Sequence, residues 1–302
     1  MELSWLMRSR IAAAAAVGVI LIGILAWPLV AQSGPSGVVC AGNISFRGAA
    51  ILVVVAFLAG YIGYFVSWPY GREIGILAVP SGLAVWAVRS GSMAALLQLN
   101  PTVAQRQALF ATLKWEAIFW LLIVAAGFAG VLAGQKTHSK PELAGIPGRP
   151  DSKPSRYLVN SVIALAGSVL IAQFCIGILA QDVRIFDNRL GAVVGQPVIG
   201  QIIFAILVSF GLAAFVVKEF LNVSYIWPAI ASSLVTAFGI AIYAKQNLLK
   251  HLVENWPAVF FSNAVISILP VQMVAFGALG SVWGYWVAVR YNFWRKGPPE
   301  AD

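Results

Sequence analysis

Long apolar stretches dominate the pattern of hydrophobic and polar positions along this chain. A helix needs about 20 mostly apolar residues to cross a hydrocarbon core about 30 Å thick. Six stretches of about this length are mostly apolar, and they are Ile11–Ala31, Gly48–Trp68, Trp115–Ala133, Leu158–Ala180, Val198–Val217 and Ile226–Ala244. Each of them is predicted to be a membrane-spanning helix.

Two further spans contain proline. The stretch Ile74–Met93 spans the membrane only if its helix tolerates Pro80 and if the long side chain of Arg89 reaches outward to water. The stretch Ala258–Val289 is too long for one upright crossing. Pro270 divides it into an interfacial or re-entrant lead-in and a final span. The total is eight spans, which predicts an all-α, polytopic helical membrane protein.

Composition agrees with this prediction and excludes the soluble classes. Hydrophobic residues make up 60% of the 302 residues and charged residues 10%, whereas soluble domains carry about 25% charged residues. A cytosolic enzyme, a disordered protein and a disulfide scaffold are therefore excluded.

The positions of the 20 basic residues predict the orientation of the chain. With the N-terminus inside, twelve of them fall on the cytoplasmic side, five in the loop 135–156 alone. By the positive-inside rule, both termini are cytoplasmic, in a membrane expected to be the bacterial inner membrane. The first span is predicted to be a retained signal anchor, with cleavage near Ala31-Gln32-Ser33 as the alternative. The expected partner is the lipid bilayer and not nucleic acid, because the tail Arg290–Asp302 is too short for a basic domain.

The hydrophilic segment 135–156 predicts a division into halves of four spans each. It is expected to be a flexible cytoplasmic linker between residues 1–134 and residues 157–302, because its prolines oppose a helix. One glycine pattern occurs in the last span of both halves at an offset of 150 residues, as Gly127, Gly130 and Gly134, and again as Gly277, Gly280 and Gly284. Coincidence among 28 glycines and a degenerate parallel duplication are both open explanations. In either case, small residues of this kind pack helices in lipid.

Polar residues inside the predicted spans are few, and Glu116 is the strongest site candidate among them. On a helix it lies on the same face as Gly127, Gly130 and Gly134, which is the face that contacts protein. A carboxylate there could bind a cation, carry a proton or gate a cavity. The alternative is an ordinary pair with Lys114 or Arg106 near the outer interface.

Asn263 and Gln272, which flank Pro270, are the other candidates for an intramembrane polar site. Such neutral groups commonly form structural hydrogen bonds instead. Pro80 and Pro270 resemble the helix breaks that build midplane sites in transporters.

Other patterns limit the chemistry. The segment Asn100–Leu113 is predicted to be an amphipathic interfacial elbow, with Arg106 facing water. No metal or cofactor is expected, because both histidines are assigned to loops and the two cysteines form no C-x-x-C motif. Asp187 lies between Arg184 and Arg189, which predicts a self-neutralised outer loop.

These observations predict a non-enzymatic membrane protein. A small-solute permease or channel is the first hypothesis, supported by the helix breaks and Glu116. The alternative is a non-catalytic scaffold or subunit whose glycine faces pack against a partner membrane protein or a second copy of the chain. An enzyme that acts on lipid has the least support.

Overall fold

The computed structural model describes residues 5–30, 37–138 and 154–296. In this part of the chain, eight helices are long and apolar enough to cross a membrane, and they are Trp5–Leu25, Phe46–Val66, Gly71–Arg89, Val103–His138, Tyr157–Leu179, Ile199–Leu221, Ile226–Tyr243 and Pro270–Arg295. The predicted all-α, polytopic helical architecture is confirmed.

The helices and strands follow one another in a simple order. The helices are α1 (Trp5–Gly18, continued by a π-helical stretch Val19–Leu25), α2 (Phe46–Val66), α3 (Gly71–Ile74), α4 (Ala78–Arg89), α5 (Met93–Leu99), α6 (Val103–His138), α7 (Pro154–Leu179), α8 (Ile199–Leu221), α9 (Ile226–Tyr243), α10 (Gln246–Asn255) and α11 (Pro270–Lys296). The strands are β1 (Arg184–Ile185), β2 (Val193–Gly195) and β3 (Phe260–Phe261).

The chain divides into two compact units. Unit 1 comprises Met1–Ser90 and Phe119–Tyr157, and unit 2 comprises Gly91–Ile118 and Leu158–Asp302. The division passes through α6, so it does not coincide with the linker at 135–156. Residues 139–153 of that linker lie outside the described residues, and the arrangement of four plus four spans stays a prediction.

In unit 1, glycines bring the backbones of α2 and α6 together. A Cβ atom added at Gly60 would collide with the carbonyl oxygen of Gly127, and one added at Gly130 would collide with the carbonyl oxygen of Phe57. Lipid tails are as apolar as leucine, so helices in a membrane associate through this kind of close approach and not through hydrophobic burial. Glycine is required at these positions.

In unit 2, α8 and α11 meet in the same way. A Cβ atom at Gly280 would lie 2.7 Å from the carbonyl oxygen of Leu207, and one at Gly284 would collide with that of Gly211. The pair Gly280–Leu207 is displaced by 150 residues from the pair Gly130–Phe57, the offset that the sequence pattern predicts. Each unit therefore uses the same contact between its second and fourth predicted spans.

Both candidate helix breaks lie where a helix begins. Pro270 is the first residue of α11, and Pro80 is the third residue of α4, directly after a 3-10 turn at Gly75–Leu77. The first N–H groups of a helix have no partner within it, so proline costs little in the first turn.

One end of unit 2 carries a small assembly of non-spanning elements, which we call the cap (residues 91–102, 181–198 and 244–269). Its three strands pair antiparallel in the order β1-β2-β3. The side-chain amide of Gln196 joins two parts of the cap, since it accepts a hydrogen bond from the Ala94 N–H at 3.1 Å and donates one to the Ser267 carbonyl at 3.0 Å.

We predict that Gly130→Ala lowers the stability of the protein. The new methyl group must displace the α2 backbone at Phe57, and overpacking of this kind costs about 1–3 kcal/mol. The measurement is the midpoint of thermal unfolding in detergent. Gly167→Ala in α7 is the matched control, because no atom lies within 4 Å of the added Cβ. Equal midpoints for the two variants would contradict the packing role of Gly130.

Candidate functional site

The site begins at the first turn of α6, which is fixed by a capping box. The Thr102 hydroxyl accepts a hydrogen bond from the Gln105 N–H, and the Gln105 side chain accepts one from the Thr102 N–H. From this start α6 continues for 36 residues, or about 54 Å, which exceeds the hydrocarbon thickness of about 30 Å. The expected interfacial elbow is wrong: the segment is the first part of a continuous helix, because Phe110 and Leu113 are buried within the protein.

Arg106 lies in this first part of α6 and is buried. Its side chain was expected to face water, but Arg106 is only 4% exposed. Its Nε–H donates to the carbonyl oxygen of Asn100 at 3.1 Å. Among the described residues, the four remaining guanidinium N–H bonds have no acceptor, and no carboxylate lies within the 4.0 Å of an ion pair.

Tyr243, the last residue of α9, packs against the first part of α6. Its ring packs on Phe110 with 4.7 Å between the ring centroids, and Phe110 lies one helical turn after Arg106. The hydroxyl of Tyr243 is fully buried and has no hydrogen-bond partner in the described part of the chain. The contact with Phe110 thus places the Tyr243 ring one helical turn from Arg106 along α6.

Sequence reasoning missed Arg106 although a signal for it exists. At 100° per residue, Arg106, Phe110, Leu113, Ala117 and Trp120 fall within about 40° of one direction on α6. All five are buried. The apolar residues that follow Arg106 at helical spacing are the signal that would have placed it on a buried face.

Glu116 lies on the same side of α6 and is 4% exposed. It follows Arg106 by ten residues, which corresponds to about 15 Å along the helix axis. The alternative of an ordinary pair with Lys114 or Arg106 stays a prediction. The six glycines of the repeated pattern are also buried, each against another helix of its own unit.

Asn263 and Gln272 each use a side-chain oxygen to cap the local backbone. The Asn263 oxygen accepts from the Val265 N–H at 3.0 Å, and the Gln272 oxygen accepts from the Leu269 N–H at 3.1 Å. The second bond supports the start of α11, in the manner of one half of a capping box. Asn263 is exposed and Gln272 is buried.

The cap contains a second buried polar group, centred on Asp187. Its carboxylate accepts hydrogen bonds from His251 Nε2 at 2.9 Å and from Trp256 Nε1 at 2.7 Å. It also accepts from the backbone N–H groups of Arg189 and Leu190, at 2.8 and 2.7 Å. The expected neutralisation by arginine side chains is wrong. The assignment of both histidines to loops is also wrong, because His251 lies in α10 and His138 is the last residue of α6.

These donors determine the ionisation of Asp187. Burial by itself raises the pKa of the carboxyl, but the hydrogen bonds from His251, from Trp256 and from two backbone N–H groups outweigh burial. The pKa of Asp187 therefore lies well below its ordinary value, and the side chain is a carboxylate at neutral pH.

No protein-family model, curated protein or solved structure matches the chain. In the described ranges, no group of three or more His, Cys, Asp or Glu side chains is arranged to hold a metal ion.

We predict that Asp187 makes stability depend on acid pH. Because its pKa is lower in the folded protein than the ordinary value of about 3.9, its ionisation favours folding above about pH 4. This contribution is lost as the pH falls below that value. Unfolding midpoints measured from pH 7 to pH 3 should fall more steeply for the wild type than for Asp187→Asn, which is less stable at pH 7.

Asp182→Asn removes the same charge from an exposed neighbour and should behave as the wild type. Parallel pH curves for all three proteins would contradict the prediction.

Proposed function

We propose that this membrane protein is a permease for small charged solutes. The observation that carries the proposal is the burial of two ionisable side chains, Arg106 and Glu116, on one side of α6. Ionisable groups are costly in and near a bilayer, and those that are retained commonly mark the path of a solute or ion. Two ionisable groups about 15 Å apart along one helix suit successive contacts with a solute.

The glycine faces support this proposal over a scaffold. A scaffold would need small-residue faces that are open to partner helices. The faces of Gly130 and Gly284 are instead occupied by Phe57 and Gly211, each within the same unit. These glycines, which supported the scaffold hypothesis, therefore face helices of their own unit and not a partner protein.

We further propose that both termini are cytoplasmic and that the cap faces the outside of a bacterial inner membrane. Of the 20 basic residues, twelve then lie on the inner side.

The orientation has a direct test. We expect a cysteine introduced at Arg184, which is exposed in β1, to react with a membrane-impermeant maleimide in intact cells. A cysteine at Lys140 should react only after the cells are opened. Cys40 and Cys175 are first replaced by serine in both proteins. The reverse labelling pattern would contradict the proposed orientation.

Transport is tested in liposomes with the purified protein. The probes are chloride, followed with an internal quenched dye, and acetate and glycine, followed by osmotic swelling. We expect faster entry of at least one of the three than into protein-free liposomes. We also expect Glu116→Gln to reduce that rate by about tenfold, as the loss of a charged hydrogen-bonding group does.

The matched control is Lys114→Gln, because Lys114 is exposed and lies two residues from Glu116 on the same helix. It should retain the wild-type rate. Rates equal to those of protein-free liposomes for all three probes would overturn the proposed function.

A further inference from the structure

We propose that Arg106 and Tyr243 form a binding site for a small monovalent anion, a halide or the carboxylate of a small organic acid. The inference deepens the proposed function and rests on it in one respect, since it names the charge of the solute. The site itself is argued from unit 2 alone.

The first step is the charge of Arg106. A guanidinium is protonated at every physiological pH. A buried charge is strongly destabilising unless it is paired and hydrogen-bonded. Arg106 is 4% exposed, and its one hydrogen bond in the described part of the chain goes to the neutral carbonyl of Asn100. No carboxylate of the described residues pairs with this group, and its terminal nitrogens are not among the fully enclosed atoms, so an anion can reach them.

The position of Arg106 in α6 adds to the positive charge there. It is the fourth residue of the helix, which begins at Val103. The N-terminal end of a helix carries a partial positive charge, equivalent to about half an elementary charge. The helix end and the guanidinium therefore both contribute positive electrostatic potential at one place. A bound anion would interact favourably with both.

The second step is the Tyr243 hydroxyl. Buried hydroxyl groups are nearly always hydrogen-bonded, and one without a partner costs free energy. This hydroxyl has no partner within the described ranges, although the Tyr243 ring is fixed against Phe110 with 4.7 Å between centroids. A phenol can donate to an anion that the guanidinium also binds. The two side chains are thus complementary to one ligand, which completes the hydrogen bonding of both.

The third step limits the class of ligand. One guanidinium and one phenol supply a single positive charge and five free N–H and O–H donors. A monovalent anion neutralises this charge, whereas a divalent anion would leave one negative charge buried. A carboxylate can engage the guanidinium through two parallel hydrogen bonds, and a halide accepts from all directions.

Binding is measured apart from transport, on the full-length protein in detergent. The probes are sodium bromide and sodium acetate, titrated at constant ionic strength against sodium gluconate, a bulky anion. The readout is the midpoint of thermal unfolding, since a ligand that binds only the folded state raises it. We expect at least one probe to stabilise the wild type. Its apparent affinity should fall by about tenfold or more in Arg106→Gln and in Tyr243→Phe.

Tyr243→Phe makes the test independent of folding defects. The ring contact with Phe110 is retained, and only the buried hydroxyl is removed. Without bromide or acetate, this variant should be at least as stable as the wild type, because an unsatisfied hydroxyl is gone. Lys114→Gln removes an exposed charge from the same helix and should retain the wild-type response.

The outcomes separate the two proposals. Stabilisation by either probe that is lost in both site variants, without transport in liposomes, supports the anion site and overturns the permease. Transport without any bromide or acetate response overturns the anion site and leaves the permease standing. A response that is equal in wild type, Arg106→Gln and Tyr243→Phe also overturns the anion site. So does stabilisation by phosphatidylglycerol nanodiscs alone, which would indicate a lipid headgroup.

Discussion

The close approach of two helix backbones at glycine is the contact on which each unit depends. In lipid, apolar side chains gain little by leaving one apolar surrounding for another, so the approach distance decides which helices associate. Gly60 and Gly127 provide this distance in unit 1, and Gly211 and Gly284 provide it in unit 2. The contacts Gly130–Phe57 and Gly280–Leu207 preserve one offset of 150 residues.

Tight packing of this kind determines where polar chemistry can be placed. Where two backbones touch, there is no room for a solute or for a polar side chain and its partners. The buried ionisable residues of α6 accordingly precede its glycines along the helix. One helix therefore combines a packed segment around Gly127 with a polar segment around Arg106, and the long continuous helix makes this separation of roles possible.

The sequence predicts the spanning helices well because lipid leaves few alternatives. A backbone in hydrocarbon must satisfy its own hydrogen bonds, so the length of an apolar stretch nearly determines a helix. The helical period likewise predicts that Glu116, Trp120 and the glycines share one side of α6. The cap could not be predicted in this way. Its contacts join residues far apart in sequence, such as Ala94 with Gln196 and Asp187 with His251, and no local pattern specifies such pairs.

The two buried charges of unit 2 that lie in or beside the cap differ in how the protein surrounds them. The carboxylate of Asp187 accepts hydrogen bonds from His251, from Trp256 and from two backbone N–H groups. The guanidinium of Arg106 has one neutral acceptor among the described residues, together with a neighbouring Tyr243 hydroxyl that has no partner there. The monovalent anion that we propose would supply the acceptor that the Tyr243 hydroxyl lacks and the negative charge that Arg106 lacks.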